Sequence, residues 1–171
     1  MGHVWHLAKR FFGSLTPFGP SSSDVSWAEQ RLLPGEAELW RTMSGPDRRH
    51  SVAVGRRVDD AIAGASRPVL AAAMLHDVGK VASALGTHRR VFATVAIKVM
   101  GRSRAMAWGH ADGFPQRIGL YADHPAIGAQ LLERAGSEPL TVAWAREHHL
   151  PEQHWTVPLP VAHALKAADD D

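Results

Sequence analysis

The apolar residues of this chain recur at spacings of three and four. From Asp24 onward these spacings continue through several short segments separated by Gly and Pro, and no convincing run alternates as a half-buried strand would. The chain has 171 residues, 45% of them hydrophobic, which is enough for one domain with a sizeable core. The sequence therefore predicts an all-α fold, with the main helical domain over residues 24–171.

Residues 1–23 are predicted to form a separate N-terminal segment. Val4 to Leu15 mixes aromatic and basic residues and predicts a short amphipathic helical extension, and Pro17 to Asp24 is rich in Pro, Gly and Ser, as linkers are. Packing on the domain or on a partner subunit is the ordinary role of such a helix. Peripheral contact with a membrane through residues 4–15 is the alternative.

Composition narrows the chemistry that is open to the chain. There is no cysteine, which excludes disulfides and thiolate metal sites, whereas there are eleven histidines. The net charge is only +2, and the basic residues are scattered along the sequence, so nucleic-acid binding is not predicted. The longest uncharged apolar run, Pro68 to Leu75, is too short to cross a bilayer, and we expect a cytoplasmic protein. No feature specifies the oligomeric state.

Two segments place a histidine or a carboxylate against the predicted core. His50 begins an apolar stripe that continues through Val54 and Val58, so it is expected to face inward. Val69 to Leu75 is apolar on every face, as in a helix buried in the middle of a domain, and it ends in the doublet His76-Asp77. Burying such a doublet is costly unless hydrogen bonds or a cation compensate.

Three further segments also place a histidine or a carboxylate at an inward position or at a helix end. His124 precedes Pro125 at the start of a predicted helix. His148 falls on the inward stripe of the helix that follows Glu138, while His149 lies about 100° round. In the last helix the spacing of four favours Asp169 as the inward acid, because Asp170 pairs by spacing with Lys166.

Each of these residues alone is more simply explained as a hydrogen-bonded core histidine or a surface acid. Together they are harder to explain without a cation, because a domain rarely directs so many imidazoles and carboxylates inward. The spacing therefore predicts a metal site built from imidazole and carboxylate.

The ordered set of His50, His76-Asp77 and Asp169 resembles the minimal pattern of the HD superfamily of metal-dependent phosphohydrolases, an all-helical bundle fold. The runs HDVGK and HPAIGAQLL and the pair His148-His149 are further similar to the HD-GYP branch and related two-metal enzymes. The Gly-Tyr-Pro signature of that branch is missing, since the region reads LPEQHWTVPLP. Cyclic-di-GMP hydrolysis is therefore not expected.

The resemblance implies two neighbouring metal sites. His50, His76, Asp77 and Asp169 would hold one divalent ion, and a bridging Asp77 with His124 and His148 would hold a second, with His149 as an optional further ligand. Asp77 and Lys80 would be the catalytic residues, Lys80 by neutralising charge on a phosphoryl group; its alternative role is to complement a helix dipole. Such ligands suit Mn, Fe, Co, Ni or Mg.

The implied activity is hydrolysis of a phosphomonoester or phosphodiester of a phosphorylated small molecule or nucleotide, by water that the metal makes acidic. A non-catalytic module that keeps the fold to bind a nucleotide or a partner is the competing hypothesis. The complete ligand set favours the enzyme.

Overall fold

The computed structural model describes residues 18–170, apart from the side chains of Thr87 and His88. The predicted amphipathic segment at residues 4–15 lies outside this range. Over the described residues there are ten α-helices and no strands, which confirms the all-α prediction. The helices are α1 (Ser22–Glu29), α2 (Pro34–Thr42), α3 (Gly45–Ala61), α4 (Arg67–Leu75), α5 (Thr87–Met100), α6 (Arg102–Ala107), α7 (Phe114–Ala122), α8 (His124–Arg134), α9 (Pro139–Glu147) and α10 (Leu159–Asp170).

Short 3₁₀ turns connect some of these helices, at Val78–Ser83, Trp108–His110 and Glu152–His154. Helix α1 begins at Ser22 with Ser21 as its N-cap, so the end of the predicted linker is already helical. None of the helices described here is both long enough and apolar enough to cross a membrane.

Helix α4 forms the centre of the main core. Arg67 begins it and Pro68 follows in the first turn, where the missing N–H costs no hydrogen bond, and every residue from Val69 to Leu75 is buried. Helices α2, α3, α9 and α10 pack around it. The prediction of a helix apolar on all faces is confirmed, and the end of α4 delivers His76 and Asp77 into the interior.

Residues 85–122, which we call the cap, have a smaller core of their own. Ala93 of α5, Ala105 of α6, and Ile118 and Ala122 of α7 pack together with Leu85. The segment Val91 to Met100 is helical, as predicted. Its stripe of Phe92, Val95 and Val99, however, faces solvent rather than this core.

The 3₁₀ turn after α4 approaches α8 backbone to backbone. A Cβ on Gly79 would lie 2.0 Å from the carbonyl oxygen of His124 and 2.6 Å from the amide nitrogen of Gly128. Only a residue without a side chain fits there. The contact places the turn that carries Asp77 directly against the first turn of α8, which carries His124.

Candidate metal centre

Residues from five helices meet at one place, and all but His50 lie at or next to a helix end. His50 comes from α3, His76 and Asp77 follow α4, His124 begins α8, His148 and His149 follow α9, and Asp169 lies in the last turn of α10. These seven predicted ligands form two groups, and within each group the candidate ligand atoms lie within 4.8 Å of one another. One group is Asp77, His124, His148 and His149; the other is His50, His76 and Asp169.

Asp77 belongs to the first group, but its second carboxylate oxygen faces His76 of the other group. Its Oδ1 is 3.2 Å from Nε2 of His124 and 3.7 Å from Nε2 of His148. Its Oδ2 is 3.4 Å from Nε2 of His76 and also contacts Nζ of Lys80. A carboxylate in this position can serve both groups at once.

Asp169 completes the second group from the other end of the chain. Its Oδ1 lies 3.3 Å from Nε2 of His50 and 3.4 Å from Nε2 of His76. The carbonyl oxygen of the neighbouring Ala168 accepts a hydrogen bond from Arg57 of α3 at 2.9 Å, which ties the end of α10 to α3. The neighbouring acid, Asp170, is paired with Lys166 at 2.9 Å, as its spacing predicted.

Three buried imidazoles are held by the same kind of hydrogen bond. Nδ1 of His76 donates to the carbonyl of Ala73 at 2.9 Å, and Nδ1 of His148 donates to that of Ala145 at 2.9 Å. Nδ1 of His124 donates to the Tyr121 carbonyl at 2.7 Å. Each bond uses a carbonyl from the last turn of the preceding helix and turns Nε2 toward the carboxylates, as hydrogen bonds to the non-ligating nitrogen of metal-binding histidines do.

The Nε2 atoms of His76, His124 and His148 are buried 3.2–3.7 Å from carboxylate oxygens, but none makes a hydrogen bond of normal geometry among the described residues. Buried polar atoms of this kind are rare and call for an explanation such as an ion or a water molecule. Ligands that bind at about 2.1 Å around a tetrahedral or octahedral ion lie about 3.0–3.4 Å apart. The nitrogen-to-oxygen separations around Asp77 and Asp169 are close to this range, so the residues fit a divalent cation.

In the absence of a metal ion, the histidine rings of the two ligand groups differ in their protonation state. Burial lowers the pKa of His124 to about 4 and also lowers that of His148, so both rings are neutral at pH 7. Burial acts in the same direction on His76, but the charges of Asp77 and Asp169 outweigh it and raise the pKa of His76 to about 10. His76 is therefore protonated at pH 7 and must lose its proton to bind a metal.

The proton on His76 predicts that the affinity of its ligand group for metal rises with pH. Because His76 has a pKa of about 10 without metal, one proton should leave the protein for each ion bound to that group. Between pH 6.5 and 8.5 we expect the affinity to rise about tenfold per pH unit. Calorimetric titration with Mn²⁺, in buffers of different ionisation enthalpy, measures both the affinity and the protons released. The exposed His163→Gln variant should behave as wild type, whereas an affinity independent of pH would contradict the assignment.

His149 is placed differently from the other predicted ligands. Its ring centroid lies 4.1 Å from that of His148 and 5.2 Å from that of His124, but the residue is exposed at the edge of the site. Where the ring packs against His124 and His148 it loses hydration, which lowers the pKa of His149, so its ring is neutral as a ligand must be.

Two cationic side chains lie beside the ligands. Lys80 contacts Asp77, and although burial opposes it, that contact raises the pKa of Lys80 above its usual range. Arg102 of the cap is half-buried, and its Nη2 is buried without a hydrogen-bond partner among the described residues. The negative charges of Asp123 and Asp77 act to raise the pKa of Arg102. Burial nevertheless lowers the pKa of Arg102, as for a cation whose hydration is incompletely replaced.

Arg102 was not predicted from the sequence as a site residue. A single arginine among fifteen carries no local signal, because its position depends on how the cap packs beside α8. The close contact between Gly79 and Gly128 did leave a trace in the sequence, because the two glycines lie in the runs HDVGK and HPAIGAQLL, which carry the family resemblance. Of the remaining histidines that the structure places, His163 pairs with Glu152 at the surface, away from both groups.

A comparison with family models found no match, and comparisons with curated proteins and with solved structures found no significant one. The candidate centre therefore has to be judged on its own geometry. The role of its residues as ligands, and the resemblance to the HD superfamily, stay predictions.

Proposed function

We propose that this protein is a metal-dependent phosphohydrolase that acts on a phosphomonoester or phosphodiester, of nucleotide type, in the cytoplasm. One observation carries the proposal: three buried imidazole nitrogens without hydrogen-bond partners among the described residues surround a carboxylate whose two oxygens face different ligand groups. Buried polar atoms without hydrogen bonds are rare, and bound cations would account for all three nitrogens at once.

Two ions would be held by the two groups, with Asp77 shared between them. His50, His76 and Asp169 would complete one site, and His124 and His148 the other, with His149 at its exposed edge. Bound divalent cations would make water acidic enough to supply a nucleophile near pH 7 and would neutralise phosphate oxygens. Imidazole and carboxylate ligands suit Mn, Fe, Co, Ni or Mg.

The surrounding cations support a phosphorylated substrate. Lys80 is held against Asp77, which orients its ammonium toward the ligand groups. Arg102 carries a buried Nη2 without a hydrogen-bond partner in the part of the chain that the structure describes, and its guanidinium lies close enough to His149 to lower that ring's pKa. A guanidinium donates two parallel hydrogen bonds to phosphate, so Arg102 would bind and orient the phosphoryl group from the cap side.

The proposal is tested by a substrate screen on metal-loaded protein. Purified protein is loaded separately with Mn, Fe, Co, Ni and Mg and is offered nucleoside monophosphates, cyclic and linear dinucleotides and generic phosphoesters. We expect metal-dependent release of phosphate or cleavage of a diester, abolished by chelator. Protein that binds metal tightly but hydrolyses nothing in the panel would instead support a non-catalytic nucleotide-binding module.

Arg102 offers a sharper test of how substrate is bound. We expect Arg102→Gln to lower kcat/KM by about 10- to 100-fold, because hydrogen bonds to charged groups are worth about 1.5–3 kcal/mol. Metal affinity should be nearly unchanged, since a guanidinium does not bind cations. Arg104→Gln is the matched control, two residues away and exposed. Equal kinetics in the two variants would remove Arg102 from the substrate site.

A further inference from the structure

The cap exposes an unusual amount of apolar surface. Among the described residues, six of the nine large apolar side chains that are exposed belong to the cap. Three of them, Phe92, Val95 and Val99, follow one face of α5 and are 59%, 56% and 84% exposed. The ring of Phe114 lies 5.8 Å from that of Phe92 and extends the patch onto α7. Contiguous apolar surface of this kind marks an interaction site.

This patch is not the unavoidable outer side of a packed helix. Helix α5 buries a different face against the cap core, through Ala93 with Ile97 and Met100 beside it. The stripe of Phe92, Val95 and Val99 is thus a second apolar face, in the position where a surface helix ordinarily carries polar residues. An aromatic and two β-branched side chains there need a partner.

The charge around the patch indicates what kind of partner. Residues 85–122 contain six basic and one acidic residue, whereas the rest of the chain contains thirteen basic and sixteen acidic residues. No Asp or Glu occurs between Asp77 and Asp112. Arg89 and Lys98 are exposed, and at about 100° per residue they flank the stripe on either side. The partner should therefore be apolar at its centre and negatively charged around it.

We propose that the patch on α5 and α7 docks onto the anionic surface of a phospholipid membrane. A helix with Phe and Val on one face and Lys and Arg beside it is suited to lie at the boundary between headgroups and acyl chains. A second copy of this chain matches less well, because a symmetric contact through the patch would bring the same cations together without an acidic partner. The inference is independent of the proposed enzymatic activity.

Vesicle sedimentation with the full chain tests this inference. Wild type should bind vesicles of phosphatidylcholine with one quarter phosphatidylglycerol and should bind pure phosphatidylcholine weakly. The triple variant Phe92→Ser, Val95→Ser, Val99→Ser should lose about tenfold or more in vesicle affinity. The matched control is Leu150→Ser with Leu159→Ser, two side chains outside the cap that are 43% and 47% exposed. It should bind as wild type.

A charge variant keeps the test decisive if the triple variant folds poorly. Arg89→Gln with Lys98→Gln should weaken binding to the anionic vesicles roughly fivefold for each cation removed, and added salt should reduce that difference. No vesicle binding by wild type would overturn the inference. So would unchanged binding by both cap variants, which would assign the membrane contact to another part of the chain. A change of oligomeric state in the triple variant, seen by light scattering without any change in vesicle binding, would assign the patch to a second copy.

Discussion

Replacing Asp77 by Asn should abolish metal binding at both ligand groups and remove hydrolytic activity with it. The carboxylate oxygens of Asp77 face His124 on one side and His76 on the other, at 3.2 and 3.4 Å. An amide keeps the shape but carries no charge and offers only one ligand oxygen. Residues that merely orient ligands are worth about 10- to 100-fold in affinity or activity, so the loss of a shared ligand should exceed about 100-fold.

The matched control for this variant is Asp170→Asn, which removes a carboxylate that is paired with Lys166. It should bind metal as wild type does. Metal content is measured by mass spectrometry after dialysis, and activity on the best substrate from the screen. A single-site loss, with one ion retained at full affinity by Asp77→Asn, would contradict the shared role. Unchanged activity in the same variant would contradict the catalytic proposal as well.

The second large effect is expected from Gly79→Ala. The added methyl group would lie 2.0 Å from a backbone oxygen of His124 and 2.6 Å from a backbone nitrogen of Gly128. Backbone atoms cannot turn away as a flexible side chain can, so the 3₁₀ turn and α8 must separate. We expect a loss of about 3 kcal/mol or more in the free energy of unfolding, at the upper end of overpacking effects.

Gly86→Ala is the control, because a Cβ there would meet nothing within 4 Å among the described residues beyond its chain neighbours, and Gly86 has a φ of −69°. Urea unfolding should show a change within about 0.5 kcal/mol for Gly86→Ala. The separation caused by Gly79→Ala also moves Asp77 away from His124, so metal affinity should fall in the fraction that stays folded. Equal unfolding midpoints for the two variants would show that the close approach does not exist in solution.

Most of the architecture could be predicted because helical periodicity is a local property. The spacing of apolar residues indicated the buried α4 and the inward face of Asp169 before any tertiary contact was known, whereas His50, expected to face inward, keeps 37% of its side chain exposed. Their meeting at 3.3 Å, across a separation of 119 residues, depends on how α3 and α10 pack and is not a local property. The family resemblance, rather than the spacing, supplied that expectation.

Periodicity could identify an apolar face but not what covers it. Helix α5 is apolar on two faces, and the stripe of Phe92, Val95 and Val99 could not be assigned to the core or to solvent from spacing alone. The position of Arg102 could not be predicted from spacing either, because its approach to the metal-ligand residues depends on how the separate core of the cap packs. The Nδ1 bonds to the preceding carbonyls depend on helix ends that pattern reading places only within a few residues.

The most direct test of the candidate centre is to locate the metal itself. Crystals grown with Mn²⁺, with diffraction data collected near the manganese absorption edge, would show each ion as an anomalous peak. The geometry described here predicts one peak bounded by Asp77, His124 and His148 and a second bounded by Asp77, His76 and Asp169, both lost in crystals of Asp77→Asn. Anomalous peaks only at surface carboxylates, with ordered water and no ion beside the three Nε2 atoms, would contradict the metal centre.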